Sequence, residues 1–70
     1  MLKDKDKRLI LAMADNGMKW RAAAREIGMH RNSAAYRLDK IFDNTGLDPR
    51  NFYDLHELVQ MAEEAEIEQA

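Results

Sequence analysis

Apolar residues recur along the chain at helical intervals, and three glycines and one proline interrupt them. Leu9, Ala12 and Met13, with Leu2 ahead of them, form one stripe over about Lys3 to Asn16. Asn16-Gly17 then offers a stop, because glycine takes the positive φ with which helices commonly close. Trp20, Ala23, Ala24 and Ile27 stand at i, i+3, i+4 and i+7 of a second, short segment, with small residues where a neighbouring helix can approach closely. A third segment, about Arg31 to Thr45, turns Ala34, Leu38, Ile41 and Thr45 inward with Phe42 beside them, while Asn32, Tyr36, Lys40 and Asp43 project roughly opposite. Gly46 is its expected C-cap, and Pro49 cannot continue the turn. A fourth helix is predicted over about Phe52 to Glu64, with Asn51 as N-cap, Asp54 at N3 and the stripe Leu55, Leu58, Val59 and Ala62. The last residues, "EEAEIEQA" from about 63 to 70, hold one bulky apolar residue, Ile67, and are expected to fray. The pattern predicts an all-α fold, a small bundle of about four helices forming a single domain over residues 1–70.

The second and third segments also fit a helix-turn-helix, here about residues 20–45. Two helices packed at a steep angle need a small residue at the crossing, a residue tolerant of left-handed φ in the turn, and apolar residues spaced to pack back. Ala24, Gly28, and then Ala34 and Leu38 fill those places, with Ile27 facing inward and Met29 plugging the wedge. An ordinary tight corner between two helices would show the same pattern, so the outward face has to separate the two readings.

Composition narrows the classes. Seventy residues make one domain at most, and a chain this short buries only ~60% of its unfolded surface. There is no cysteine, which removes disulfides, thiolate chemistry and Cys-based zinc sites and suits a reducing cytoplasm. The longest apolar run, Leu9 to Ala14, is far short of the ~18 residues a membrane span needs.

The formal net charge of -2 conceals a change of sign along the chain. Residues 1–18 set Lys3, Lys5, Lys7 and Arg8 against Asp4, Asp6 and Asp15, leaving +1. Residues 19–40 set Lys19, Arg21, Arg25, Arg31, Arg37 and Lys40 against Glu26 and Asp39, leaving +4. Residues 41–70 hold Arg50 against Asp43, Asp48, Asp54, Glu57, Glu63, Glu64, Glu66 and Glu68, leaving -7. A polyanion responds to the patch within about one Debye length, ~8 Å at physiological salt, rather than to the sum. The middle third can therefore present a cationic face on an acidic protein. The "KDKDKR" start reads as a solvated face rather than a binding patch, and the acidic last third as a solvated face or a surface for a basic partner.

On a recognition helix the first turn presents groups that reach base edges, flanked by cations and hydroxyls that fix phosphates. "HRNS" offers these. Arg31 can bind guanine O6/N7 or a phosphate, Asn32 can pair with adenine N6/N7, and Ser33 and His30 can hold phosphate. Unpaired N–H groups at the helix start would favour a phosphate as well. Tyr36 and Lys40 continue the stripe, Arg37 lies on its flank, and Arg21 stands at the start of the preceding helix. Two alternatives stand beside this reading: Arg37 paired with Glu26 or another neighbour on a solvated surface, and Trp20 as a base-stacking residue rather than a core anchor.

The stretch "AAREIGMHRNSAAYRLDKIFDNTGLDPRNFYDLHEL" resembles the C-terminal helix-turn-helix domain of PucR/CdaR-type bacterial transcription regulators, and more distantly the Fis-type DNA-binding motif. The "HRN..YRL" and "TGLD" elements carry the resemblance, over about residues 20–62. It implies a DNA-binding domain, with Arg31, Asn32, Tyr36 and Arg37 on the motif positions. Ala34 stands where that family usually has leucine, so Trp20 or Phe42 is expected to fill the joint. Ala35 and Asp39 stand where it is commonly basic, which implies lower affinity. Arg21 replaces a Ser or Thr cap, and Met18 is a one-residue insertion. The family domain usually follows a large sensory region, so with Met1 opening this chain any effector sensing is expected from a partner or not at all.

His30 and His56 fall on different helices without a carboxylate or cysteine constellation, so no metal or cofactor is expected. Seventy residues of helix offer little concavity to hold a substrate, and an enzyme is not expected. The reading is a small sequence-specific transcription regulator on double-stranded DNA, with helix 31–45 in the major groove. A homodimer, or an interaction with a larger regulator through the apolar remainder of the first or fourth helix, would supply two half-sites ~34 Å apart. The rival is a protein-interaction module that keeps the fold without DNA affinity. An uninterrupted positive face around Arg21, Arg31, Arg37 and Lys40 favours DNA, and its neutralisation by Asp39 or Asp43 favours the rival.

Overall fold

The first helix, α1 (Asp4–Asp15), opens with Asp4 and Asp6, whose charges suit the positive end of the helix dipole. It buries Leu9, Ile10, Ala12 and Met13, a wider face than a single stripe, because α1 packs against each of the other three helices. The computed structural model describes the backbone of residues 2–69 and the side chains of residues 2–64. Among the described residues it contains four helices and no strand.

Asn16 closes α1 by donating its backbone N–H to Ala12 O and its side-chain Nδ2 to the same oxygen at 2.7 Å, while the Met18 N–H donates to Met13 O. Gly17 and Met18 are both left-handed, at φ 61° and 68°. Met18 therefore sits where an L side chain costs about 1 kcal/mol or more. Its thioether chain packs against the core, which offsets part of that strain.

The second helix, α2 (Trp20–Glu26), turns Ala23 and Ala24 fully inward. Trp20 packs half-buried against the core, as an anchor, with the Arg21 guanidinium 5.2 Å above its ring. The third, α3 (Arg31–Thr45), buries Ala34, Leu38 and Ile41. Phe42 departs from expectation: it is 48% exposed, because one position beyond Ile41 is about 100° further round the helix. It does not fill the joint at Ala34.

Gly46, at φ 76°, closes α3 by donating its N–H to Phe42 O. The Thr45 hydroxyl donates to Ile41 O at 2.6 Å and accepts the Leu47 N–H at 3.1 Å. Pro49 does more than interrupt a helix, since its ring is fully buried. The fourth helix, α4 (Phe52–Gln69), starts as expected, with Asn51 Oδ1 accepting the Asp54 N–H at 3.1 Å. It runs past Glu64 to Gln69, where fraying was expected; Ala, Glu and Gln favour the helix without needing packing. The side chain of Ile67 lies outside the described residues.

Leu55, Leu58 and Ala62 bury the inner side of α4 against α1, and among the described residues α4 does not pack on α2 or α3. The outer side of α3 stays clear. Truncating a fully buried Leu9, Leu38 or Leu58 to alanine costs ~2–5 kcal/mol, a large share of the ~5–15 kcal/mol that holds a domain together. No helix among the described residues is long and apolar enough to cross a membrane.

Candidate nucleic-acid interface

The turn between α2 and α3 is built by the backbone. Gly28, at φ 72°, donates its N–H to Arg25 O, and the Met29 N–H reaches back to Ala24 O at 2.8 Å. This pair of bonds is the Schellman closure of a helix, and it requires the left-handed residue that glycine provides. Ile27 and Met29 on either side pack against the core, as expected of the wedge. The chain then re-enters a helix at His30, whose extended backbone and Nδ1 acceptor cap α3: the Asn32 N–H donates to Nδ1 at 3.0 Å. That N–H is therefore not a free donor for phosphate, contrary to expectation. A neutral His30 ring with Nδ1 accepting carries its proton on Nε2, which leaves one outward donor.

Of the residues expected at the interface, Arg21, His30, Arg31, Asn32, Ser33, Tyr36 and Lys40 are exposed. The Lys40 ammonium lies 5.6 Å from the centre of the Tyr36 ring, so the two form one amphipathic feature on the helix. Two hollows flank the turn and share Met29 and His30. One, of about 310 Å³, is lined by Arg21, Ala24, Arg25 and Arg31 in addition. The other, of about 610 Å³, runs past Asn32, Ser33, Tyr36 and Arg37 to Lys5 and Arg8 of α1. Among the described residues no carboxylate lines either one.

Arg37 differs from the rest. Its side chain is 23% exposed, and its Nε stands 3.7 Å from Oδ1 of Asp6, a carboxylate buried under α1. The distance is too long for a hydrogen bond, and that oxygen has no hydrogen-bond partner. The expected neighbour Glu26 instead receives Asn16 Nδ2 at 3.4 Å.

Asp39 is also accounted for. Arg50, in the α3–α4 connection, donates through Nη2 to Asp39 Oδ1 at 2.9 Å and through Nε to Asp48 Oδ1 at 3.1 Å. The hydrogen bonds to Asp39 and Asp48 raise the Arg50 pKa further, so its charge is permanent. The Arg50 backbone N–H, with its guanidinium, holds the Asp48 carboxyl below its ordinary value. Asp39 is thus matched by a cation from the acidic third of the sequence and not by the arginines around the turn.

Sequence reasoning missed Lys5, Arg8 and Arg25 at this surface. Arg25 was legible, since it lies one turn from Arg21. Lys5 and Arg8 carried only the signal that residues three apart share a helix face; their closeness to α3 is a tertiary fact.

A short helix, a glycine turn and a second helix with an exposed polar start, packed on a supporting helix, define a helix-turn-helix protein. Residues 2–62 match the PucR C-terminal helix-turn-helix domain, and the chain belongs to that family. No curated protein and no solved structure matches it. Membership associates the chain with DNA-binding transcription regulation, and the family is not enzymatic in general.

Proposed function

We propose that the chain acts as one domain and binds double-stranded DNA sequence-specifically, with α3 as recognition helix in the major groove. Asn32 and Arg31 meet base edges, Tyr36 and Lys40 extend the contact one turn on, and Arg21, His30, Ser33 and Arg37 fix phosphates. The observation that carries this reading is the exposed start of α3 beside two hollows that, among the described residues, are lined by cations and no carboxylate. The Asp39–Arg50 pair supports it over a protein-interaction module, because the Asp39 charge is met by Arg50 rather than by the cations around the turn. The regulator is expected in the cytoplasm of a bacterium. It works as a homodimer, or with a larger regulator, through the apolar remainder of α1 or α4, since one module reads too few bases for useful specificity.

The test is discrimination. On a duplex selected from a random library, Asn32→Ala reduces preference at one base step by ~1–3 kcal/mol while binding to random duplex is little changed. Equal loss on selected and random duplexes removes Asn32 from base reading.

A further inference from the structure

The first turns of α1 carry cations that helix electrostatics alone would not place there. Lys5 lies in the first turn, where the helix dipole favours acids and disfavours bases. Lys5 and Arg8, three positions apart, are neighbours on one face and repel each other. Both are exposed, and neither is ion-paired among the described residues. Both line the same hollow as Asn32, Ser33 and Tyr36, whereas Lys3 and Lys7 do not.

Asp6, between them in sequence, is buried instead, against Arg37, which lines the same hollow. The Asp6 carboxylate stands 3.7 Å from the Arg37 guanidinium on α3. With Leu9 and Ile10 fully buried one turn further on, this contact ties the start of α1 to the recognition helix. The backbone that carries Lys5 and Arg8 is therefore held beside α3. The smaller hollow, which shares Met29 and His30 with the larger one, is lined by Arg21, Arg25 and Arg31. A major groove is about 12 Å wide and bordered by the phosphates of both strands, so a helix lying in it needs cations on each flank.

We propose that Lys5 and Arg8 bind backbone phosphates of the duplex that α3 enters, so that the DNA-contacting surface spans three helices rather than two. The inference rests on the DNA-binding reading above and adds a sequence-independent anchor to it. Fluorescence anisotropy across a salt series, on a selected and a mixed-sequence duplex, compares the wild type with Lys5→Ala/Arg8→Ala and with Lys3→Ala/Lys7→Ala. Each phosphate neutralised contributes about 0.9 to the slope of log K against log salt. The Lys5/Arg8 variant is expected to be shallower by about 1 to 2 on both duplexes, and the Lys3/Lys7 variant unchanged. Alanine favours the helix more than lysine, so α1 persists, which far-ultraviolet circular dichroism checks. The charge-keeping Lys5→Arg/Arg8→Lys restores the wild-type slope. An unchanged slope for Lys5→Ala/Arg8→Ala overturns the proposal, and so does equal flattening in both alanine variants, which would reduce the effect to net charge. A wild type that binds neither duplex overturns the DNA-binding reading and this inference with it.

Discussion

Arg37 serves the fold and the proposed interface at once, and a single substitution cannot separate the two. Its guanidinium is the only ion-pair partner of the buried Asp6 among the described residues. Arg37→Ala would leave that carboxylate unpaired and cost about 1–3 kcal/mol of stability, less than for a fully enclosed pair because the arginine is partly solvated. The same variant is expected to weaken binding on all DNA sequences alike. Asp6→Asn/Arg37→Ala should then recover most of the stability and none of the affinity, measured by urea denaturation beside DNA titration. Recovery of affinity with stability would confine Arg37 to folding. This pairing was not legible beforehand: Asp6 and Arg37 lie on different helices, and the sequence offered Glu26 or an unspecified neighbour as the partner of Arg37. Asp39 and Arg50, eleven positions apart across a turn, were hidden for the same reason. The residues of "HRNS", by contrast, are local to one turn, and their exposure followed from the periodicity of α3.

The four helices differ in how they begin. Lys3 and Lys19, ahead of α1 and α2, make no side-chain cap bond, whereas His30 and Asn51 cap α3 and α4. His30 thus sets the first turn that carries Arg31, Asn32 and Ser33. His30→Ala should lower stability by ~1 kcal/mol, a fall in melting temperature of about 4–8 °C in a domain of this size. His30→Ser, which retains a capping oxygen, should recover most of it; equal melting temperatures for wild type and alanine variant would show that the cap contributes nothing. Element order and most boundaries were legible because Gly17, Gly28 and Gly46 each fall where a left-handed residue closes a helix. Two features were not. The extension of α4 to Gln69 follows intrinsic propensity, which a reading based on buried stripes undervalues. The width of the α1 face, with Ile10 buried beside Leu9, reflects its three partner helices, which no single-helix pattern encodes.

At the scale of the molecule, the fold sorts charge that the sequence only partly separates. The acidic last third keeps one cation, Arg50, and spends it on Asp39 and Asp48 beside α3. The basic middle third gains Lys5 and Arg8 from a segment expected to be merely solvated. An acidic protein with a local net charge of this kind can bind a polyanion through one face, and its affinity must then fall steeply with salt. The decisive measurement is binding of the wild type to a mixed-sequence duplex across a salt series, with Arg31→Ala/Lys40→Ala as control. A slope of log K against log salt of about -3 to -5, flattened in the control, is the expected result. Absence of binding at low salt, or a slope that the control leaves unchanged, would contradict a DNA-binding role for α3.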